Sequence, residues 1–286
     1  FVSRGLGDVY KRQNKDYHSA LLPLREIIAN HNLKAEKSLG QNFLLDRNIT
    51  DKIVRSSGDL SGQTVVEIGP GPGGLTRSLL NSAAANIIAI EYDPRAVHAL
   101  QDLQQCSEGR LQIIQEDALQ IDFLSISTAP RTIIANLPYN IATPLLISWL
   151  SQIRADFKAY DCMILMFQKE VAQRIAAKPG QKAYGRLSIL SQWLCDVDIL
   201  FDLPPSVFTP APKVKSSIVK FKPKDLETKQ PDFKQVELVT AAAFNQRRKM
   251  IKTSLKDYEQ KISLCGLDPT WRAENLSVED YVNLAL

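Results

Sequence analysis

The chain has 286 residues, 44% of them hydrophobic, with a formal charge of +4 and a pI near 8.8. That is enough apolar mass for one large domain plus a small one, and it excludes a disordered or peptide-like protein; the mild basic excess suits an anionic partner without requiring one. Apolar runs such as 163–167 fall far short of the roughly 20 residues a bilayer demands and no secretory leader is visible, so a cytoplasmic protein with no membrane contact is expected.

In chain order, residues 3–13 back-translate without a break into a common transposon-derived sequencing adapter, so 1–13 are expected to be a non-native extension. Taken alone, 41–45 read as a helix start. From Thr64 onward, short β-rich runs alternate with helical patterns, the signature of βαβ units. Strands are predicted over 64–68, 86–91, 111–116, 131–135, 162–167, 196–201 and 217–221, and helices over 75–82, 94–103, 144–153, 169–177 and 186–194. Several strands are near-continuous Val, Ile and Leu, as expected when helices cover both faces of a parallel sheet. The fold class is α/β, a doubly wound sheet with an antiparallel pair at its end. A polar stretch between Pro223 and Pro231 marks a boundary, giving a first domain over 14–226 and a small all-α domain over 227–286, with helices at 233–244, 246–257, 258–264 and 278–284.

The first strand runs into Glu67-Ile68-Gly69-Pro70-Gly71-Pro72-Gly73-Gly74-Leu75, where glycines let the backbone approach a ligand closely. By itself such a loop serves equally for tight strand-to-helix packing. The second strand ends at Glu91, suited to a ribose diol, and the third is followed by Asp117, suited to an adenine amino group. A dinucleotide remains compatible with these acids, but the G-x-G-x-x-G spacing is missing and the fourth strand carries other chemistry. It ends in Asn136-Leu137-Pro138-Tyr139. Methylation of an exocyclic amine needs acceptors that draw its lone pair out of ring conjugation. The Asn136 side-chain oxygen and the Leu137 carbonyl can do this, with Pro138 stiffening the turn and Tyr139 offering a face on which an unstacked base gains about 1–3 kcal/mol. In isolation the tetrapeptide is also an ordinary strand-terminal turn.

The small domain has as many acids as bases, but its charge is segregated: 245–256 contains Arg247, Arg248, Lys249, Lys252 and Lys256 and no acid. On a helix Lys249, Lys252 and Lys256 share a face, a footprint for RNA phosphates. Lys220 and Lys222 share a side of the last strand, where they would serve either as a second phosphate contact or to guard an edge strand against pairing, and they are left out of the site. The cysteines (Cys106, Cys162, Cys195, Cys265) form no C-x-x-C pair and read as buried thiols, and His18, His31 and His98 join no ligand cluster, so no metal is expected.

As a set, Gly40-Gln41-Asn42-Phe43-Leu44, the 67–75 loop, Asn136-Leu137-Pro138-Tyr139-Asn140, Gln168-Lys169-Glu170-Val171, Lys182 to Leu187, Pro205 to Val214, Ala243 to Lys249 and Arg272 to Leu276 resemble the bacterial 16S rRNA dimethyladenosine transferase family, over nearly all of 34–286. The resemblance implies a Rossmann-like methyltransferase using S-adenosyl-L-methionine, with cofactor contacts at Asn42, Leu44, Gly69, Gly71, Glu91, Asp117 and Asn136. It makes the N-terminal segment a lid over the cofactor and places Phe208 opposite Tyr139 across a flipped adenine. It also implies the substrate, two adjacent adenosines of 16S rRNA in the immature 30S subunit, each dimethylated on N6 by a monomeric enzyme whose Arg247, Arg248, Lys249 and Lys252 hold RNA. The rival readings are a 23S rRNA methyltransferase of the erythromycin-resistance type, a non-catalytic nucleic-acid-binding relative and, more remotely, a DNA adenine methyltransferase, for which no separate base-recognition domain is visible.

Overall fold

The computed structural model describes residues 16–33, 35–36, 40–226 and 229–286; the 1–13 extension lies outside them. Strands β2 (Thr64–Ile68), β3 (Asn86–Glu91), β4 (Leu111–Gln115), β5 (Arg131–Ala135) and β6 (Cys162–Gln168) are parallel neighbours in the order β4-β3-β2-β5-β6, and β9 (Ser216–Pro223) and β7 (Cys195–Leu203) complete a seven-stranded sheet as β6-β9-β7. Both pairings of β9 are antiparallel. The expected α/β sheet with an antiparallel end is present, but β9 lies inside it. Lys220 and Lys222 therefore guard no edge: the Lys220 ammonium donates to the Ser56 carbonyl at 3.3 Å and Lys222 pairs with Asp161 at 3.1 Å.

The β period of two divides each strand between two cores. Val66, Ile68, Ile88 and Ile90 pack with helix Tyr139–Ala155 and Trp149 on one face, while Val65, Ile87 and Ala89 pack with helices Arg47–Arg55 and Gly74–Leu80 on the other. The first core continues without a break into the C-terminal helices. Val236, Val239 and Ala243 of helix Phe233–Asn245 and Tyr281 of helix Val278–Ala285 join Ile189 and Trp193 of helix Arg186–Leu194, and the Trp193 and Phe233 rings stack at 6.2 Å.

The helix expected at 144–153 starts five residues earlier, at Tyr139, with Pro144 inside it. Lacking an N–H, Pro144 cannot donate to the Asn140 carbonyl as a helical residue at that position otherwise would. The segment 94–103 forms two short helices, Pro94–Ala99 and Gln101–Cys106, meeting at Leu100. The reading of 41–45 as a helix start is corrected as well: Phe43–Leu44 forms strand β1, and the helix begins at Arg47, capped by Asp46, whose carboxylate accepts from the Asn48 N–H at 2.8 Å. β1 pairs antiparallel with β8 (Phe208–Thr209), Leu44 lying opposite Phe208.

The predicted helix 246–257 is absent. Only Ile251–Ser254 is helical, followed by a short turn of 3₁₀ helix at Lys256–Tyr258. The cause is competition for donors. The Ile251 N–H goes to the Trp271 carbonyl at 2.7 Å and the Lys252 N–H to the Pro269 carbonyl at 3.1 Å, so neither can bond four residues back. The basic residues thus lie on a bent segment rather than along one helical stripe.

Candidate functional site

The carboxyl ends of β2 and β5 lie side by side, where strand order reverses and where open α/β sheets bind ligands. After β2 the chain turns through Gly69 (φ 66°) and Gly71 (φ 54°), left-handed values that disfavour a side chain. A Cβ on Gly71 would stand 2.9 Å from two ring carbons of Phe43, and one on Gly74 would stand 2.5 Å from the Leu44 carbonyl oxygen. The glycines therefore make room for the protein's own N-terminal segment as well as for a ligand.

At the end of β3, Glu91 is buried and accepts from the N–H groups of Gly71 at 3.0 Å and Asp93 at 2.8 Å. Burial holds its carboxyl above the ordinary range despite those bonds. Asp93 in turn accepts from the Gln41 amide at 3.1 Å, tying the N-terminal segment to this wall. Glu67, on β2, is 1% exposed and its Oε2 has no hydrogen-bond partner among the described residues. Burial, reinforced by the charge of Glu91, pushes its pKa up to about 8. Two carboxylates strained this way favour a cationic ligand, because a positive charge placed beside them repays the cost of ionising them. Asp117 caps the turn after β4 through the Leu119 N–H at 2.9 Å.

At the end of β5, the Asn136 amide nitrogen donates to the Asn42 carbonyl at 3.0 Å. With its donor end occupied, Asn136 has its Oδ1 left as the acceptor. Leu137 is buried, and Pro138 leads into the helix that Tyr139 begins. The Tyr139 hydroxyl shares a 2.7 Å hydrogen bond with that of Ser216, and burial raises its pKa, keeping the phenol neutral.

These pieces enclose a cavity of about 340 Å³ lined by Asn42, Leu44, Gly69, Gly71, Glu91, Asp117, Asn136, Leu137, Pro138 and Tyr139. Ten residues read from strand ends and from the resemblance thus share one wall. Gln41, Glu67, Tyr92, Leu119, Asn140 and Met166 line it too and were not singled out. Tyr92 and Leu119 had a signal: Tyr92 directly follows the strand-end Glu91 and Leu119 stands two residues after Asp117, and both are exposed.

Phe208 is not on this wall. It is 4% exposed and packed in the apolar cluster against which Tyr139 also lies. The basic segment is not on it either. Arg247 pairs with Glu274 at 2.8 Å, whereas Arg248, Lys249 and Lys252 are exposed and form no ion pair among the described residues. No group of three or more His, Cys, Asp or Glu suited to a metal occurs among the described residues, nor any helix long and apolar enough to cross a membrane.

Residues 32–286 match the family model described as ribosomal RNA adenine dimethylase. The chain is 52% identical over 268 residues to "Ribosomal RNA small subunit methyltransferase A" of Rhodospirillum rubrum, covering 93% of this chain and 92% of that protein. Among solved structures, a dimethyladenosine transferase from Plasmodium falciparum superposes with a TM-score of 0.68 at 28% identity, covering 84% of this chain and 94% of that one. The 23S rRNA methyltransferase ErmE shares the fold, with a TM-score of 0.65 at 21% identity over 85% of this chain and 98% of its own.

Proposed function

The chain belongs to the ribosomal RNA adenine dimethylase family, and on that premise we propose that it places two methyl groups on N6 of each of two adjacent adenosines near the 3′ end of 16S rRNA, acting as a monomer on the immature 30S subunit in the cytoplasm. Bound S-adenosyl-L-methionine supplies a methyl group made electrophilic by its sulfonium. Asn42, Leu44, Gly69, Gly71, Glu91, Asp117 and Asn136 are the residues that would hold it, and the strained carboxylates of Glu67 and Glu91 suit its positive charge.

One observation carries the mechanism: the Asn136 amide is oriented by the Asn42 carbonyl, so the oxygen is the end it offers. Asn136 Oδ1 and the Leu137 carbonyl accept the two N6 protons and pull the nitrogen toward tetrahedral geometry. Tyr139, neutral and anchored on Ser216, presents its ring to the base. No strong base is needed, because the methylated amine loses its proton readily to water. Phe208 is assigned the opposite face of the adenine, a role that requires it to leave its packed position. Arg248, Lys249 and Lys252 contact phosphates from the 227–286 region, and Arg247, held by Glu274, orients that segment.

The test is to incubate the protein with labelled cofactor and either 30S or 50S particles lacking the modification, then map the labelled base. Label on 23S rRNA would favour the erythromycin-resistance type, and cofactor binding without turnover would favour a non-catalytic relative. Asn136→Ala is expected to lower the methylation rate at least a hundredfold while leaving particle binding within a few-fold; retained activity would overturn the assignment.

A further inference from the structure

The turn at 268–272 carries Trp271, which is 42% exposed, whereas the other two tryptophans, Trp149 and Trp193, are 0% and 3% exposed. An exposed indole on a floppy loop would mean little, but this loop is fixed at both ends. Asp268 accepts from the Thr270 N–H at 2.8 Å and the Thr270 hydroxyl at 2.7 Å, and the Trp271 N–H closes the turn on the Asp268 carbonyl at 3.0 Å. The Trp271 and Pro269 carbonyls take the Ile251 and Lys252 N–H groups, and Met250 bridges to Arg272 across the same gap. Just beyond, Ala273 and Leu276 are fully buried.

The same bonds that break the predicted helix 246–257 therefore hold the turn that carries Trp271 against the basic segment. Arg272 follows it in the chain and Lys252 is bonded to the same turn; both are exposed, as are Arg248 and Lys249 earlier in the basic segment, and none of the four is in an ion pair among the described residues, while Asp268 is engaged within its own turn. Met250, bridged to Arg272 and 43% exposed, adds apolar surface to the same segment. An exposed aromatic residue on a fixed turn, bonded to a segment of unpaired cations, is matched by an anionic chain that carries flat bases. A folded protein surface would call for a more apolar patch with fewer free charges.

We propose that Trp271 is a stacking platform for an unpaired nucleobase of the RNA substrate, with the neighbouring cations holding the phosphates on either side of that base. It is a positioning residue, outside the lining of the cavity that would hold the reacting amine, and the proposal rests on the reading of the chain as an rRNA methyltransferase. Stacking acts on binding rather than on the chemical step.

Because the other tryptophans are buried, acrylamide quenching of the intact protein reports mainly on Trp271. Adding protein-free 16S rRNA is expected to shield the emission and shift it. Trp271→Leu is expected to raise KM for unmodified 30S particles and their Kd about tenfold, equivalent to about 1.4 kcal/mol, with kcat and cofactor affinity unchanged, and Trp271→Phe is expected to recover most of the loss. Unchanged Kd in the Leu variant, equal loss in Leu and Phe, or shielding by 30S particles but not by free rRNA would each overturn the platform, the last by assigning the ring to a ribosomal protein. Particle binding is measured separately from methylation. A chain that binds RNA through Trp271 yet transfers no methyl group would refute the proposed activity and leave this inference standing.

Discussion

Glu67→Gln is predicted to stabilise the protein, and by more as the pH rises. The carboxyl is 1% exposed with one oxygen unpartnered, and burial carries its pKa from 4.5 to about 8. Between those values the folded chain keeps the proton while the unfolded chain gives it up, so the equilibrium tilts toward unfolding as the pH climbs. The penalty is absent below the unfolded pKa, grows through the window and is flat above the folded pKa. At about 1.4 kcal/mol per pH unit, a window from about 4.5 to about 8 sets a ceiling of about 5 kcal/mol, a large share of the roughly 5–15 kcal/mol that keeps a domain folded. Glutamine has the same shape without the charge and escapes the penalty. Urea unfolding of both proteins across about pH 5–9 measures the difference, expected to be small at the acid end, largest near pH 8 and constant beyond. A difference independent of pH, or one that narrows as the pH rises, would show that Glu67 is not held protonated by its surroundings.

Gly71→Ala should collide with Phe43 and force a left-handed φ on a side chain, costing about 1–3 kcal/mol in stability and weakening cofactor binding. Thermal melts and calorimetric titration read both effects, and adding Phe43→Ala should restore part of the binding; no recovery would mean the ring is not the obstacle. Tyr139→Phe keeps the ring and loses the Ser216 hydrogen bond, so stability should fall by about 1 kcal/mol with methylation nearly intact. Tyr139→Ala should raise KM for the RNA particle about tenfold or more through lost stacking. Equal damage from the two substitutions would assign the role to the hydroxyl.

The sheet was legible because its strands are long Val and Ile runs whose two faces are both covered, a pattern that survives without any knowledge of neighbours. β2, β3 and β5 begin and end where the residues predict. Glu91, Asp117 and Asn136 were legible for the same reason, since a residue that closes a strand in a parallel sheet must stand at the ligand edge. Asn42 and Leu44 were not, because a two-residue strand has no period to read; only the resemblance supplied them. The failure at 246–257 has another origin. Its helical spacing is real, but its donors are claimed by carbonyls about twenty residues further along, a long-range competition that local pattern cannot express. Tyr139 as a helix start was hidden by Pro144, which local rules place at the first turn rather than inside.

The space that Gly71 and Gly74 surrender to Phe43 and to the Leu44 carbonyl has a consequence for protein engineering. The floor and the cover of the cavity are cut to each other's shape, although about thirty residues and a whole helix separate them along the chain. A chimera that joins residues up to about 60 from one relative to the remainder of another should fold its sheet normally and still be impaired, unless the donor's residues at the positions of Phe43 and Leu44 match the recipient's glycine turn. A crossover after β7 spares this interlock but cuts others, because β9 pairs with both β6 and β7 and Ser216 is hydrogen-bonded to Tyr139.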